Sequence, residues 1–307
     1  MSGRRLCGLY YKRITMKKYI FMALAVLLMG CTDSPVDPQP GPGPDPGTGQ
    51  EQPSQPSQPS KPDADFESKF VKQIALWDFT GAWCNFCPGG LRNISFVLAA
   101  NPQFADCVHT MAFHSDAEGE DALALPDGMT DRIMIDMNLV SFGFPSFLLD
   151  LKIGGTLSEG STLSSDLNQI AEDYPVYCGV AVSSSVADGK AAVNAKLFSE
   201  FDTTWRIAAF VVENKIKYYQ MDGMQRKEDA THNHVVRQIV SSSYRGDRLG
   251  QVAADAEVSK EYVFDIDPAW NLDNTYIYVL SIDADGVVNN MNYCLLDGGE
   301  SDYILKQ

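Results

Sequence analysis

Trp77-Asp78-Phe79-Thr80-Gly81-Ala82-Trp83-Cys84-Asn85-Phe86-Cys87-Pro88 closes one apolar run and opens an amphipathic one. Residues 70–79 read as a strand and those after Cys87, to about Ala100, as a helix, so both cysteines fall near a helix N-terminus. Free N–H groups and the helix dipole favour a thiolate on the first cysteine of such a pair. Cys84 is then the attacking sulfur, and Cys87, one turn on, can resolve a mixed disulfide. Pro88 lies so near the helix start that it removes no helical hydrogen bond.

Strand and helix keep alternating downstream. Residues 107–113 read as a second apolar strand, 130–140 have helix-like spacing, 146–151 form a strand and 166–173 a further amphipathic helix. That order predicts a small α/β layer domain over residues 66–175. From Val176 on, helical periodicity gives way to short β-rich runs at 176–186, 191–198, 205–212, 234–241, 262–266, 275–282 and 287–296. Asp188-Gly189 and Asp285-Gly286 between such runs are tight-turn signals. The expectation for residues 176–307 is an all-β antiparallel, Ig-like sandwich.

Upstream, Lys17 and Lys18 precede an apolar run at 19–28, and Leu28-Met29-Gly30-Cys31 sets a small residue before a cysteine. This is the pattern of a bacterial signal peptide (residues 1–30) with a lipobox, so Cys31 is the expected lipidation site. The run is shorter than the roughly 20 residues a membrane-spanning helix needs, which disfavours a retained anchor. Residues 32–62 hold ten of the sixteen prolines and three Gln-Pro-Ser repeats, so residues 31–65 read as an extended tether. Residues 1–30 carry six Lys and Arg and no acid, which leaves eighteen bases against forty acids, a net −22. That charge excludes nucleic acid as a surface-wide partner.

Asp78 six residues before Cys84, then Phe79, and Trp83 directly before Cys84 resemble thioredoxin-like proteins. Ser141-Phe142-Gly143-Phe144-Pro145-Ser146-Phe147, about sixty residues beyond the cysteines, occupies the place where such domains carry a cis-proline facing the disulfide. The resemblance implies a cis Phe144–Pro145 bond, a substrate groove shaped by Pro145, and Asp78 as a buried proton relay to the resolving cysteine. Asn85-Phe86 replaces the Gly-Pro of thioredoxin itself and leaves the redox direction open. Phe79-Thr80-Gly81 with Cys-x-x-Cys-Pro, a lipid-bearing N-terminus and His232-Asn233-His234-Val235-Val236-Arg237 together resemble the outer-membrane-protein-28-related lipoproteins. That resemblance covers Phe70 to the C-terminus and implies an outer-membrane location.

Blander readings stand beside these. Exported proteins commonly hold passive disulfides, so Cys84–Cys87 could be purely structural. A metal shared with His109 or His114 lacks the paired ligand spacing of a zinc module, and Pro88 stands where haem attachment needs a histidine. His232 and His234, two apart, would share one strand face as a possible metal pair, although structural roles are favoured. Cys178 and Cys294 could bridge, with Cys107 a buried small hydrophobe. Glu118-Gly119-Glu120-Asp121 and Asp283/Asp285 lack calcium-loop spacing and read as a solvated loop and a turn. No metal or cofactor is therefore expected beyond the cysteine pair. The partners expected are protein thiols or disulfides, or a surface ligand, with the membrane reached through lipid. Two functions follow: a thiol–disulfide oxidoreductase on a tether, or a surface binding or adhesion lipoprotein whose β-sandwich carries the activity.

Overall fold

The computed structural model describes Pro62, residues 66–158 and residues 160–307. The expected signal peptide, Cys31 and nearly all of the tether lie outside the described residues.

β1 (Ile74–Thr80) runs parallel to β2 (Val108–His114) and antiparallel to β3 (Ser146–Leu149), which pairs with β4 (Ile153–Thr156). α1 (Cys87–Ala100) joins β1 to β2, α2 (Met129–Asp136) follows β2, and α3 (Leu163–Asp173) follows β4. Side chains alternate across a strand, so Ile74 and Leu76 face one way and Ala75, Trp77 and Phe79 the other. The first face packs on α1 and α3 through Ile94, Leu163, Leu167 and Ile170. The second packs on Phe113, Ile133 and Phe210, with Trp77 stacked on Phe113 at 4.5 Å between ring centroids. Covering on both faces is why the strand reads as a nearly continuous apolar run.

Eleven further strands follow: β5 (Cys178–Ala187), β6 (Lys190–Ser199), β7 (Thr203–Glu213), β8 (Ile216–Asp222), β9 (Gln225–His232), β10 (Val235–Ile239), β11 (Asp247–Val252), β12 (Ala256–Asp265), β13 (Thr275–Ile282), β14 (Val288–Leu295) and β15 (Glu300–Ser301). Asp188 (φ 51°) and Gly189 (φ 73°) turn β5 into β6, the left-handed pair that a two-residue hairpin requires. The sheet β12-β6-β5-β15 packs on the β7–β13 region through Val180, Leu197, Trp205, Val211 and Ile277. The described protein is thus mostly β, built as a sandwich with few helices.

The division expected after residue 175 is not a break in this architecture. One nine-stranded sheet runs β14-β13-β7-β10-β2-β1-β3-β4, with β11 also on β7. Its joint is the parallel pairing of Val235 in β10 with Ala112 in β2, which covers an edge β2 would otherwise expose. Buried asparagines stitch the layers where no ladder does. Asn290 accepts from the Gln73 N–H at 2.8 Å and donates to the Cys178 carbonyl at 2.9 Å, while Asn292 donates to the Val180 carbonyl at 2.9 Å. Lys72 adds an ion pair with Asp150 at 2.8 Å and donates to the Val288 carbonyl at 2.9 Å.

β8 and β9 form a separate two-stranded arm. Only Tyr219 and His232 of its strand residues are buried, so hydrophobic periodicity gave no signal for it. The arm returns from the second half of the chain to the cysteine loop.

Candidate functional site: the Cys84–Cys87 loop

Cys84 and Cys87 form a disulfide at the junction of β1 and α1. No side chain caps α1 at Phe86; instead the Cys87 N–H donates to Cys84 Sγ at 3.1 Å. The first cysteine's sulfur therefore takes a helix-end donor, the arrangement that favours negative charge on it. Upstream, the Cys84 N–H closes a turn on the Gly81 carbonyl at 3.1 Å. Both cysteines are buried, at 3% and 4% exposure, while Phe86 between them is 74% exposed.

Asp78 lies on the α1 side of β1, since it alternates with Trp77 and Phe79 and shares its face with Ile74 and Leu76. Burial pushes its carboxyl up to about 7, so it exchanges a proton near neutrality. The Phe144–Pro145 bond is cis. Pro145 packs on Gly90 in α1, where an added β-carbon would stand 2.7 Å from Pro145 Cβ. Trp83 ties the two loops: its Nε1 donates to the Ser115 carbonyl at 2.7 Å and its ring meets Phe144 edge-on at 5.4 Å.

Two further residues, Asp121 and Gln220, shape the site. Asp121 is buried, not part of a solvated loop: its Oδ2 accepts from the Ala82 N–H at 2.7 Å and contacts His114 Nδ1 at 2.7 Å, and its Oδ1 accepts from Leu123 N–H at 2.9 Å. Burial opposes its charge, but the His114 contact and the two backbone donors outweigh it and hold the carboxyl below the usual range. The second is Gln220, on β8, whose Nε2, with two N–H donors, lies within hydrogen-bond distance of the carbonyls of Gly81, Ala82 and Cys84. Asp222-Gly223, at the tip of the arm, is the turn signal that marks its hairpin in the sequence.

The histidine pair separates. His234 has φ 60° between β9 and β10, which breaks the strand alternation that would align it with His232. His232 instead meets His114 at 5.2 Å between rings, and burial, helped by His114, lowers it to about 4. His109, also lowered to about 4 by burial and by His234, contacts Gln73 Oε1 at 2.7 Å. Among the described residues no three His, Cys, Asp or Glu converge as a metal site. Cys178 and Cys294 do not bridge: both are buried free thiols, with Cys178 Sγ 3.0 Å from Ser281 Oγ. Asp283 is a turn anchor, accepting from the Asp285 and Val287 N–H groups at 3.0 Å each.

The family model described as outer membrane protein Omp28 matches residues 134–294. The match contains Pro145 and the whole β8–β9 arm and begins after the two cysteines. Among solved structures the chain is similar to HBP35 of Porphyromonas gingivalis, with a TM-score of 0.62 and 18% identity over 78% of this chain and 81% of that one. This is a likeness of fold. No curated protein matches by sequence. With more than half of its length matched, the chain belongs to the outer membrane protein Omp28 family, and so to the cell envelope.

Proposed function

We propose that this is a lipid-anchored envelope protein whose residues 66–175 form a thioredoxin-like unit that exchanges disulfides with extracytoplasmic proteins. The observation that carries the reading is the Cys84–Cys87 disulfide at the start of α1, with the Cys87 N–H on Cys84 Sγ. The parallel β1–β2 pair, antiparallel β3 and β4, and the cis-proline loop against α1 support it.

In the reducing direction, Cys84 as thiolate attacks one sulfur of a substrate disulfide and expels the other as a thiolate, which takes up a proton. Cys87, deprotonated with Asp78 as acceptor, attacks Cys84 Sγ, releases the second substrate thiol and restores the disulfide. Each turnover oxidises the dithiol and reduces the substrate, and the oxidising direction is the reverse. Lipid on Cys31 and a proline-rich tether would present the unit away from the membrane.

The test is the disulfide-exchange rate of the full chain, for example with insulin as substrate. Cys84→Ser should abolish it, and equal rates for the two proteins would sink the reading.

A second reading draws on a cleft of about 470 Å³ on the four-stranded sheet, lined in part by Ser183, Ser185, Asn194, Glu261 and Glu300. On that reading the β-sandwich binds a polar surface ligand and the cysteine unit is scaffold. Ligand binding that survives Cys84→Ser and is lost on Asn194→Leu would favour it.

A further inference from the structure

We infer that Gln220, carried on β8, is a positioning residue that sets the reduction equilibrium of the Cys84–Cys87 pair by pinning the loop around it. The inference rests on the reading of that pair as an exchanging disulfide and names the element that tunes it.

Gln220 Nε2 lies 3.1 Å from the Gly81 carbonyl oxygen, 3.2 Å from those of Ala82 and Cys84, and 3.1 Å from that of Met221. Four acceptors converge on one atom, so only the donor end of the amide fits there. Two backbone bonds flank it: Met221 N–H donates to the Ala82 carbonyl at 2.8 Å and Gly223 N–H to the Asn85 carbonyl at 3.0 Å. Arg92 of α1 faces Asp222 of the arm at 3.8 Å. On the opposite side, Asp121 holds the Ala82 N–H. Ala82 is thus fixed at its N–H by Asp121 and at its carbonyl by the arm, two residues before Cys84.

The consequence differs between the two redox states. In the disulfide, the covalent bond itself holds Cys84 to Cys87. In the dithiol, the arm's hydrogen bonds keep the loop in the geometry from which the disulfide closes. They deny the dithiol the backbone freedom it would gain on reduction and keep each thiol at high effective concentration near the other. The docked arm therefore favours the disulfide. By linkage, reduction must loosen the arm by the same factor.

The equilibrium is read with dithiothreitol. The protein disulfide takes two electrons and two protons from it and becomes two thiols, while the reagent closes to its cyclic disulfide. The full chain is equilibrated at graded ratios of the two reagent forms and its thiols are counted by mass after alkylation. Gln220→Leu should shift the constant toward the dithiol by about tenfold, the factor expected when roughly one residue's backbone is released. Gln220→Lys, whose ammonium keeps donors among the carbonyls, should stay close to wild type. An unshifted constant in folded Gln220→Leu overturns the inference. Should that variant not fold, the wild type decides through hydrogen exchange of the Met221 and Gly223 amides. These should exchange several-fold faster in the dithiol than in the disulfide, and equal protection in both forms overturns the inference. Because both readouts are equilibrium properties, an unchanged exchange rate in Cys84→Ser would remove the proposed function and leave this coupling standing.

Discussion

Gly90 lies against Pro145 so closely that a β-carbon on residue 90 would stand 2.7 Å from Pro145 Cβ and 2.8 Å from its Cγ, with Leu157 Cβ behind at 3.1 Å. The contact joins the first turn of α1, which begins at Cys87, to the loop leading into β3. A ring on one side and a packed leucine on the other leave little room to yield. Gly90→Ala should therefore destabilise the protein by about 1–3 kcal/mol, the usual penalty for overpacking. The denaturation midpoint of the disulfide-intact protein measures it, and an unchanged midpoint would mean that the loop gives way freely.

Asp78 should make stability fall as pH rises. Its carboxyl shifts from an ordinary 3.8 to about 7 on burial, so between those values the unfolded chain is ionised while the folded one keeps its proton. The group's contribution is whole below the unfolded value and is lost as pH rises through the folded one, a change on the order of 4 kcal/mol. Asp78→Asn removes this dependence. It should be more stable than wild type at roughly pH 8, with the advantage shrinking toward pH 4. A difference that does not vary with pH contradicts the burial of a protonated acid.

His109 and His232 act with the opposite sign. Both are lowered to about 4 from 6.5, so below 6.5 the unfolded chain takes up protons that the folded one refuses. Their contribution is present above the unfolded value and lost as pH falls through the folded one, on the order of 3 kcal/mol for His109. This slope runs against that of Asp78, but two rings oppose one carboxyl, so the three groups together make stability rise with pH between about 4 and 6.5. His109→Gln, which keeps a polar partner for Gln73, removes one of the two rings, so that His232 and Asp78 nearly cancel and the contribution of these groups flattens across that window. A profile identical to wild type would show that His109 does not titrate as a buried neutral ring.

The cysteine site was legible because its signals are local. Cys-x-x-Cys between a strand and a helix reads directly from residues 70–100, and β1 and α1 form there. Six of the β runs from Val176 correspond to β5, β6, β7, β10, β13 and β14 within a few residues, and the run at 262–266 covers only the end of β12, which begins at Ala256. What escaped is non-local or polar. Val235 meets Ala112 across more than a hundred residues, and no pattern in either strand announces the pairing. The arm of β8 and β9, at Ile216-Lys-Tyr-Tyr-Gln-Met-Asp222 and Gln225-Arg-Lys-Glu-Asp-Ala-Thr-His232, buries too little for alternation to stand out. Gln220 gains its role only when the chain folds back on residues 81–84. Asp121 looked like one of several loop acids until Ala82 and His114 converged on it.

The lipid reading has its own consequence. Cys31→Ala should leave the signal's export function intact and shift the protein from the membrane to the soluble fraction of the envelope. Continued membrane association would place the anchor elsewhere in the chain.

The central claim is that Cys84 attacks and Cys87 resolves, and trapping tests it most directly. In Cys87→Ser the second step is blocked, so incubation with a disulfide substrate should leave a mixed disulfide that peptide mass mapping assigns to Cys84. Cys178 and Cys294 should stay unmodified: both are buried, burial pushes the Cys178 thiol well up, and that of Cys294 is held at about 11. An adduct at Cys84 that disappears in the Cys84→Ser/Cys87→Ser double variant is the predicted result. No adduct at Cys84, or one carried by Cys178 or Cys294 instead, would contradict it.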